Sequence, residues 1–138
     1  MASGRTEYYQ LNQWEPGDPV LREEFNADNA KIDGILGEIP RIAAGAYTGN
    51  GADARTINLG FTPRAVYLCK NNGATYESGR IWGGLVVADS PLVEEYGSER
   101  CLALAVAPGG FQVGDVSISY RWASTNANQT TYHYLAVG

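Results

Sequence analysis

The sequence predicts a mainly β protein: an antiparallel β-sandwich over residues 44–138, preceded by an N-terminal arm (1–17) and one short, coiled-coil-like helix (18–39). Three observations carry that expectation. Glycine (17) and tyrosine (9) are plentiful while charged residues make up only 18%, a profile of short segments divided by turns. Beyond Ala44, short apolar runs alternate with turn residues and no helical period interleaves them, which argues against a doubly wound α/β fold. Before that point the apolar residues instead follow helical spacing.

At 138 residues the chain fits one domain with a short appendage, long enough to bury a core without metals or disulfides. The net charge of -5 and the scatter of the 10 basic residues argue against a nucleic-acid partner, since neutralising phosphates needs clustered Lys and Arg. Residues 1–7 lack the apolar centre of a signal peptide and no stretch approaches membrane-spanning length, so the chain is expected to be made and folded in a cytoplasm with no membrane partner. Cys69 and Cys101 each sit in an apolar run; they read as buried free thiols, with a Cys69–Cys101 bridge as the alternative.

The arm holds Tyr8, Tyr9 and Trp14 before the turn Glu15-Pro16-Gly17, aromatics that should pack on a neighbouring subunit or a partner protein. Asp18 is placed to accept backbone N–H bonds as helix N-cap, with Pro19 at the first helical position. Glu23 and Glu24 favour the positive end of the helix dipole. In heptads, Leu21, Asp28 and Ile35 fall at one core position and Phe25, Ile32 and Ile39 at the other. Asp28 or Asn29 would form a polar layer, and Ile at both positions biases association towards more than two strands. A helix this short is marginal alone, so it packs either on its own β-domain or, through Leu21, Phe25, Ile32 and Ile35, against sister chains. Gly37 and Pro40 should end it.

Expected strands are 45–48, 55–59, 65–69, 81–87, 102–107, 111–113, 116–122 and 132–137, the clearest being Val116-Ser117-Ile118-Ser119-Tyr120-Arg121-Trp122 with its strict alternation. Gly49-Asn50-Gly51, Asn71-Asn72-Gly73, Pro108-Gly109-Gly110 and Gly114-Asp115 punctuate them.

Little in the chain suggests chemistry. His133, the one histidine, alternates with Tyr132 and Tyr134 as a strand residue would. One His and two separated Cys make no zinc pattern, and no nucleophile elbow or phosphate loop occurs, so neither metal nor cofactor is expected. Glu94, Glu95 and Glu99 are the only support for a glycosidase, and as neighbours in one loop they read as solvated charge. The expectation is binding, not catalysis. Among loops 70–80, 89–100 and 123–131, candidate receptor-binding residues are Asn71, Asn72, Tyr76, Trp82, Asn126, Asn128 and Gln129, because amide groups beside aromatic faces suit sugars.

The run Tyr9-Gln10-Leu11-Asn12-Gln13-Trp14, then Gly17-Asp18-Pro19-Val20-Leu21-Arg22 and Phe25-Asn26-Ala27-Asp28-Asn29-Ala30-Lys31-Ile32-Asp33, resembles the opening of small tail-fibre proteins encoded by phages and prophages of gut Gram-positive bacteria. Gly45-Ala46-Tyr47-Thr48-Gly49-Asn50-Gly51 and Gly60-Phe61-Thr62-Pro63-Arg64-Ala65-Val66 are similar to the start of the β-domain in fibre tips, and Gly110-Phe111 and Tyr132 to Gly138 to the usual ending. The resemblance implies a homotrimer in a virion tail or baseplate that recognises a bacterial surface; the expected receptor is a glycan or protein there, and the arm is the expected mount on other tail or baseplate proteins. It supplies no catalytic residues, and it fades between residues 70 and 100. A structural tail component without a receptor, or a part of a phage-derived bacteriocin, would carry the same signatures.

Overall fold

Asp18 does not cap the helix. In the computed structural model, which describes all 138 residues, its carboxylate accepts from the Ser3 N–H (2.9 Å), the Ser3 hydroxyl (2.6 Å) and the Glu15 N–H (2.9 Å). The Ser3 hydroxyl, first among these, holds the Asp18 carboxyl below its ordinary range. The helix, α1, therefore starts later, at Arg22–Glu38, with Leu21 as an extended N-cap that offers no side-chain bond and Pro19 outside it. It runs through Gly34 and Gly37 and stops where Pro40 forces Ile39 into an extended conformation.

Two short strands of the arm, β1 (Gly4–Arg5) and β2 (Asn12–Gln13), pair antiparallel beside α1. The Asn12 N–H donates to Asp28 (2.8 Å), Asn12 Nδ2 to the Glu24 carbonyl (3.0 Å), and Lys31 Nζ to the Gln10 carbonyl (2.6 Å). Asp28 is thus buried under its own arm and is not a free polar layer between helices. The arm covers one flank of α1, where Ile35 is half-buried. Phe25, Ile32 and Leu36 stay exposed within roughly 40° of arc at 100° per residue, and Leu21 and Ile39, extended just beyond the two helix ends, are exposed as well. Residues Met1–Ile39 form one compact unit and Pro40–Gly138 a second.

The second unit is built of β3 (Ile42–Thr48), β4 (Arg55–Asn58), β5 (Ala65–Lys70), β6 (Tyr76–Glu77), β7 (Arg80–Ile81) and β8 (Gly84–Val87). There follow β9 (Leu92–Tyr96), β10 (Glu99–Ala107), β11 (Gly110–Val113), β12 (Asp115–Ile118), β13 (Arg121–Ser124) and β14 (Thr131–Val137). They form three four-stranded sheets, ordered β3-β14-β5-β8, β4-β11-β10-β9 and β12-β13-β7-β6. The chain is mainly β, with one helix and predominantly antiparallel pairing. One pair departs from the antiparallel expectation: β7 and β13 run parallel. Arg41 and Gly138 exchange both backbone bonds (2.9 and 2.7 Å), which starts β3 earlier than the sequence suggests.

Three segments differ from expectation for identifiable reasons. The run 81–87 is not one strand, because the chain leaves one sheet for another at Trp82-Gly83. The Trp82 and Gly83 N–H groups both turn to the Thr75 carbonyl, and a Cβ on Gly83 would collide with the Leu68 carbonyl. The run 116–122 folds back on itself at Ser119-Tyr120, so that Val116 faces Ala123 and Ser117 faces Trp122. Alternation survives such a reversal, which hides it from a period-2 reading. The stretch 89–100 is mostly a hairpin, β9 and β10 turning at Gly97-Ser98, so Glu94, Glu95 and Glu99 lie on strands.

The core lies between the first two sheets. Tyr47, Val66, Leu68, Val86, Tyr132 and Ala136 from one meet Leu104, Phe111 and Val113 from the other. Tyr47 and Tyr132 stack at 5.1 Å, and Phe111 meets Tyr134 edge-on at 5.2 Å. A smaller cluster holds Ile81, Cys101, Ala103 and Ala123. Both cysteines are free, Cys101 buried and Cys69 half-buried opposite His133, and burial pushes the Cys101 thiol up.

The two stacked tyrosines set an alkaline limit. Their hydroxyls donate to the Thr125 and Ser124 carbonyls, and burial pushes Tyr132 up to about 12 and Tyr47 higher still. The unfolded chain releases these protons near pH 10 while the fold keeps them, so stability falls as pH rises above that value. Urea midpoints for the full chain should hold steady from pH 7 to 8, begin to fall as the unfolded Cys101 thiol ionises, and drop steeply through pH 10–12; a midpoint unchanged at pH 11.5 would contradict the buried pair.

Candidate functional site

Three connections gather at one end of the first sheet, where β3 and β5 stop and β14 begins. They are residues 49–54, 71–75 and 125–130, the outer two tied by Gly49 N–H to Thr130 O (2.8 Å) and Gln129 N–H to Gly49 O (3.1 Å). The Asn71 N–H reaches the Thr131 carbonyl at 2.9 Å. At the opposite end of this sheet the chain enters, with Ile42 paired to Val137. At about 3.3 Å per residue, the seven residues of β3 put roughly 20 Å between entrance and loops.

Of the sequence-predicted residues, Asn71 and Asn72 occupy the exposed 71–75 turn, where Asn72 Oδ1 accepts from the Ala74 N–H (3.0 Å). Tyr76 is exposed on β6, and Asn128 and Gln129 are exposed beside Gly51. These five are exposed, on two loops and on β6.

Asn126 does not. It is 0% exposed, and its Nδ2 donates to Asn50 Oδ1 (2.6 Å) and the Ala52 carbonyl (3.0 Å). Its Oδ1 accepts from the Asn50 N–H (3.3 Å). The buried Thr125 hydroxyl donates to the Ala103 carbonyl and accepts from the Gly114 N–H (3.0 Å). The run Ser124-Thr125-Asn126 is a buried polar clamp that shapes the loops from inside. Its polarity reads as surface in the sequence because its partners are distant in the chain, among them Asn50, Ala52, Ala103, Tyr47 and the Arg55 and Arg80 guanidinium groups, which spacing does not reveal.

Trp82 is not an open stacking platform either. Its ring packs against the core, Nε1 donates to the Glu77 carbonyl (3.1 Å), and the Lys70 ammonium sits 4.3 Å from the ring centroid. Lys70 is in turn held by Glu77 at 3.1 Å. A sugar stacking there would have to displace that cation.

Two aromatic residues that the sequence reading passed over are better placed. Tyr96 ends β9 and Tyr120 tips the β12–β13 turn; they are 49% and 83% exposed, with ring centroids 6.3 Å apart at 75°. Glu99 is the cross-strand partner of Tyr96, so both side chains leave the same face of the hairpin. On that face Glu99 Oε2 accepts the Ser119 hydroxyl at 2.6 Å. Glu95 and Arg100 leave the other face, paired at 3.4 Å. The 23 positions between Tyr96 and Tyr120 kept the pair invisible, and a turn without Gly or Asn gave no local signal of it.

His133 is exposed on β14, and no group of three His, Cys, Asp or Glu side chains is placed to hold a metal. No helix is long and apolar enough to cross a membrane. Comparison with protein-family models, curated proteins and solved structures returned no match.

Proposed function

We propose that this chain is the tip protein of a bacteriophage-type tail fibre, a homotrimer in the virion tail that attaches without catalysis, at several points at once, to a bacterial surface receptor. The observation that carries the reading is the open apolar stripe of α1. With its arm already folded onto one flank, the helix still exposes Phe25, Ile32 and Leu36 on one side, with exposed Leu21 and Ile39 just beyond its ends. A soluble chain rarely leaves such a stripe to water. Sister helices, each offering the same Phe25, Ile32 and Leu36 stripe, are the fitting cover, and the heptad spacing expected from the sequence favours three.

The β unit supports the same reading. Its first two sheets, facing each other across the shared core, make a sandwich on which the exposed Asn71, Asn72, Asn128 and Gln129 stand at the end of the first sheet opposite to where the chain enters. A mount at one end and contact groups at the other is the polarity a fibre tip needs. Three copies of one weak site gain avidity without any new contact, provided all can reach one surface. The exposed Tyr8 and Tyr9 favour the arm as the joint to other tail proteins. They also support a second reading, a tail or baseplate connector that touches no receptor; pull-downs yielding tail proteins, with no attachment to cells, would select it.

Light scattering on the full chain and on a chain starting at Pro40 tests the trimer. The full chain should weigh three chain masses and the shortened one a single mass. Ile32→Asp in the full chain should likewise give monomers with an unchanged β-sheet spectrum. A monomeric full chain would remove the fibre-tip reading.

A further inference from the structure

The turn at Ser119-Tyr120 is built against its own backbone preference. It joins Ile118 to Arg121 in a two-residue hairpin, and its second residue, Tyr120, has φ 66°. Glycine takes that left-handed conformation freely and asparagine tolerates it, whereas a tyrosine Cβ crowds the backbone. Core packing does not offset the strain, because the side chain is 83% exposed. Its one aromatic neighbour is Tyr96, itself half in water. Strain retained at an exposed aromatic, in a turn that glycine would close without it, marks a residue held for contact with something outside the chain.

We propose that Tyr120 and Tyr96, with Glu99, form a binding subsite for a neutral sugar ring. The inference deepens the attachment reading, on which it rests, by placing the glycan contact on the β9–β10 and β12–β13 turns. Each feature has a use in that chemistry. Two rings at 75° wall a corner whose open Tyr120 face suits the C–H face of a pyranose. Glu99 stands on the same face as Tyr96, with Oε2 oriented by the Ser119 hydroxyl and Oε1 left to accept from a sugar hydroxyl. Glu99 takes part in no ion pair, so its charge is open to the ligand. Glu94 leaves the same face two residues before Tyr96. Two carboxylates there repel anionic polymers, which is why the ring must be neutral.

The strain makes the test clean, because the variant that removes the contact also relieves the backbone. Tyr120→Gly should leave the melting temperature of the full chain within about 5 °C of the parent. Losing one such aromatic contact should weaken a single site about tenfold, and by up to about a thousandfold where three sites engage together. Tyr120→Phe should keep most of the binding. Ring-carbon NMR of the full chain, titrated with methyl glucoside, N-acetylglucosamine, rhamnose and glucuronate, should show a neutral sugar shifting Tyr96 and Tyr120 and glucuronate shifting neither. If the parent attaches to cells and Tyr120→Gly attaches equally, the subsite is overturned while the attachment reading stands. Neutral sugars that leave both rings unmoved overturn the subsite whatever the cells do. A parent that binds no cell but whose tyrosines answer a neutral sugar keeps the subsite and sinks the attachment reading.

Discussion

Asn126→Ala is expected to cost about 3 kcal/mol of stability while leaving no direct mark on any surface. The change removes two donated bonds, to Asn50 and to the Ala52 carbonyl, worth about 0.5–1.5 kcal/mol each. It also leaves the Ala52 carbonyl and the Asn50 N–H short of a partner within a buried loop junction, at roughly 1–3 kcal/mol more. For the 99-residue unit from Pro40 to Gly138 this lowers the melting temperature by roughly 15 °C. Asn128→Ala, two residues on and exposed, should move it by less than about 3 °C. Calorimetry on the two variants side by side decides the matter: equal, small shifts would return Asn126 to the surface role its sequence neighbourhood suggested.

Phe111→Ala should be costlier still, about 3–5 kcal/mol. The ring is 0% exposed at the centre of the core, across the ladder from Ile57 and against Tyr47 and Tyr134. Those neighbours stand on three different strands of two sheets, so collapse around the missing ring would have to move both sheets together. Urea unfolding of the chain starting at Pro40 should show a midpoint lower by roughly 2–4 M. A fall below 1 M would mean that the sheets close over the gap, and that Phe111 is not the keystone its burial implies.

The sequence exposes those features whose physics is local. The apolar spacing of Phe25, Ile32 and Ile35 belongs to a helix, Leu21 and Ile39 lie just outside it, and Gly37-Glu38-Ile39-Pro40 brackets its end correctly. Asp18 misleads because three donors claim it from the arm, two of them at Ser3, fifteen residues away. The alternation of 116–122 is real, but a reversal without Gly or Asn leaves no trace in it. The candidate surface is legible in the same uneven way. Asn71, Asn72 and Asn128 are as exposed as polar turns usually are, whereas Asn126 is buried by loops that meet only in three dimensions. Trp82 looks like a platform until Lys70 is seen above it. Tyr96 and Tyr120 become a pair only once two hairpins are packed side by side.

The paired backbone bonds between Arg41 and Gly138 have one more consequence. They bring residues 41 and 138 together edge to edge, so a peptide link between them would close the β unit into a ring without changing its strand order. A cargo carried on residue 138 would therefore sit beside Arg41, at the end of the sheet opposite the 49–54, 71–75 and 125–130 loops. Opening the ring at the exposed Asn72-Gly73 turn would reverse that geometry, and would hang the helix from the very loops that are otherwise presented outward.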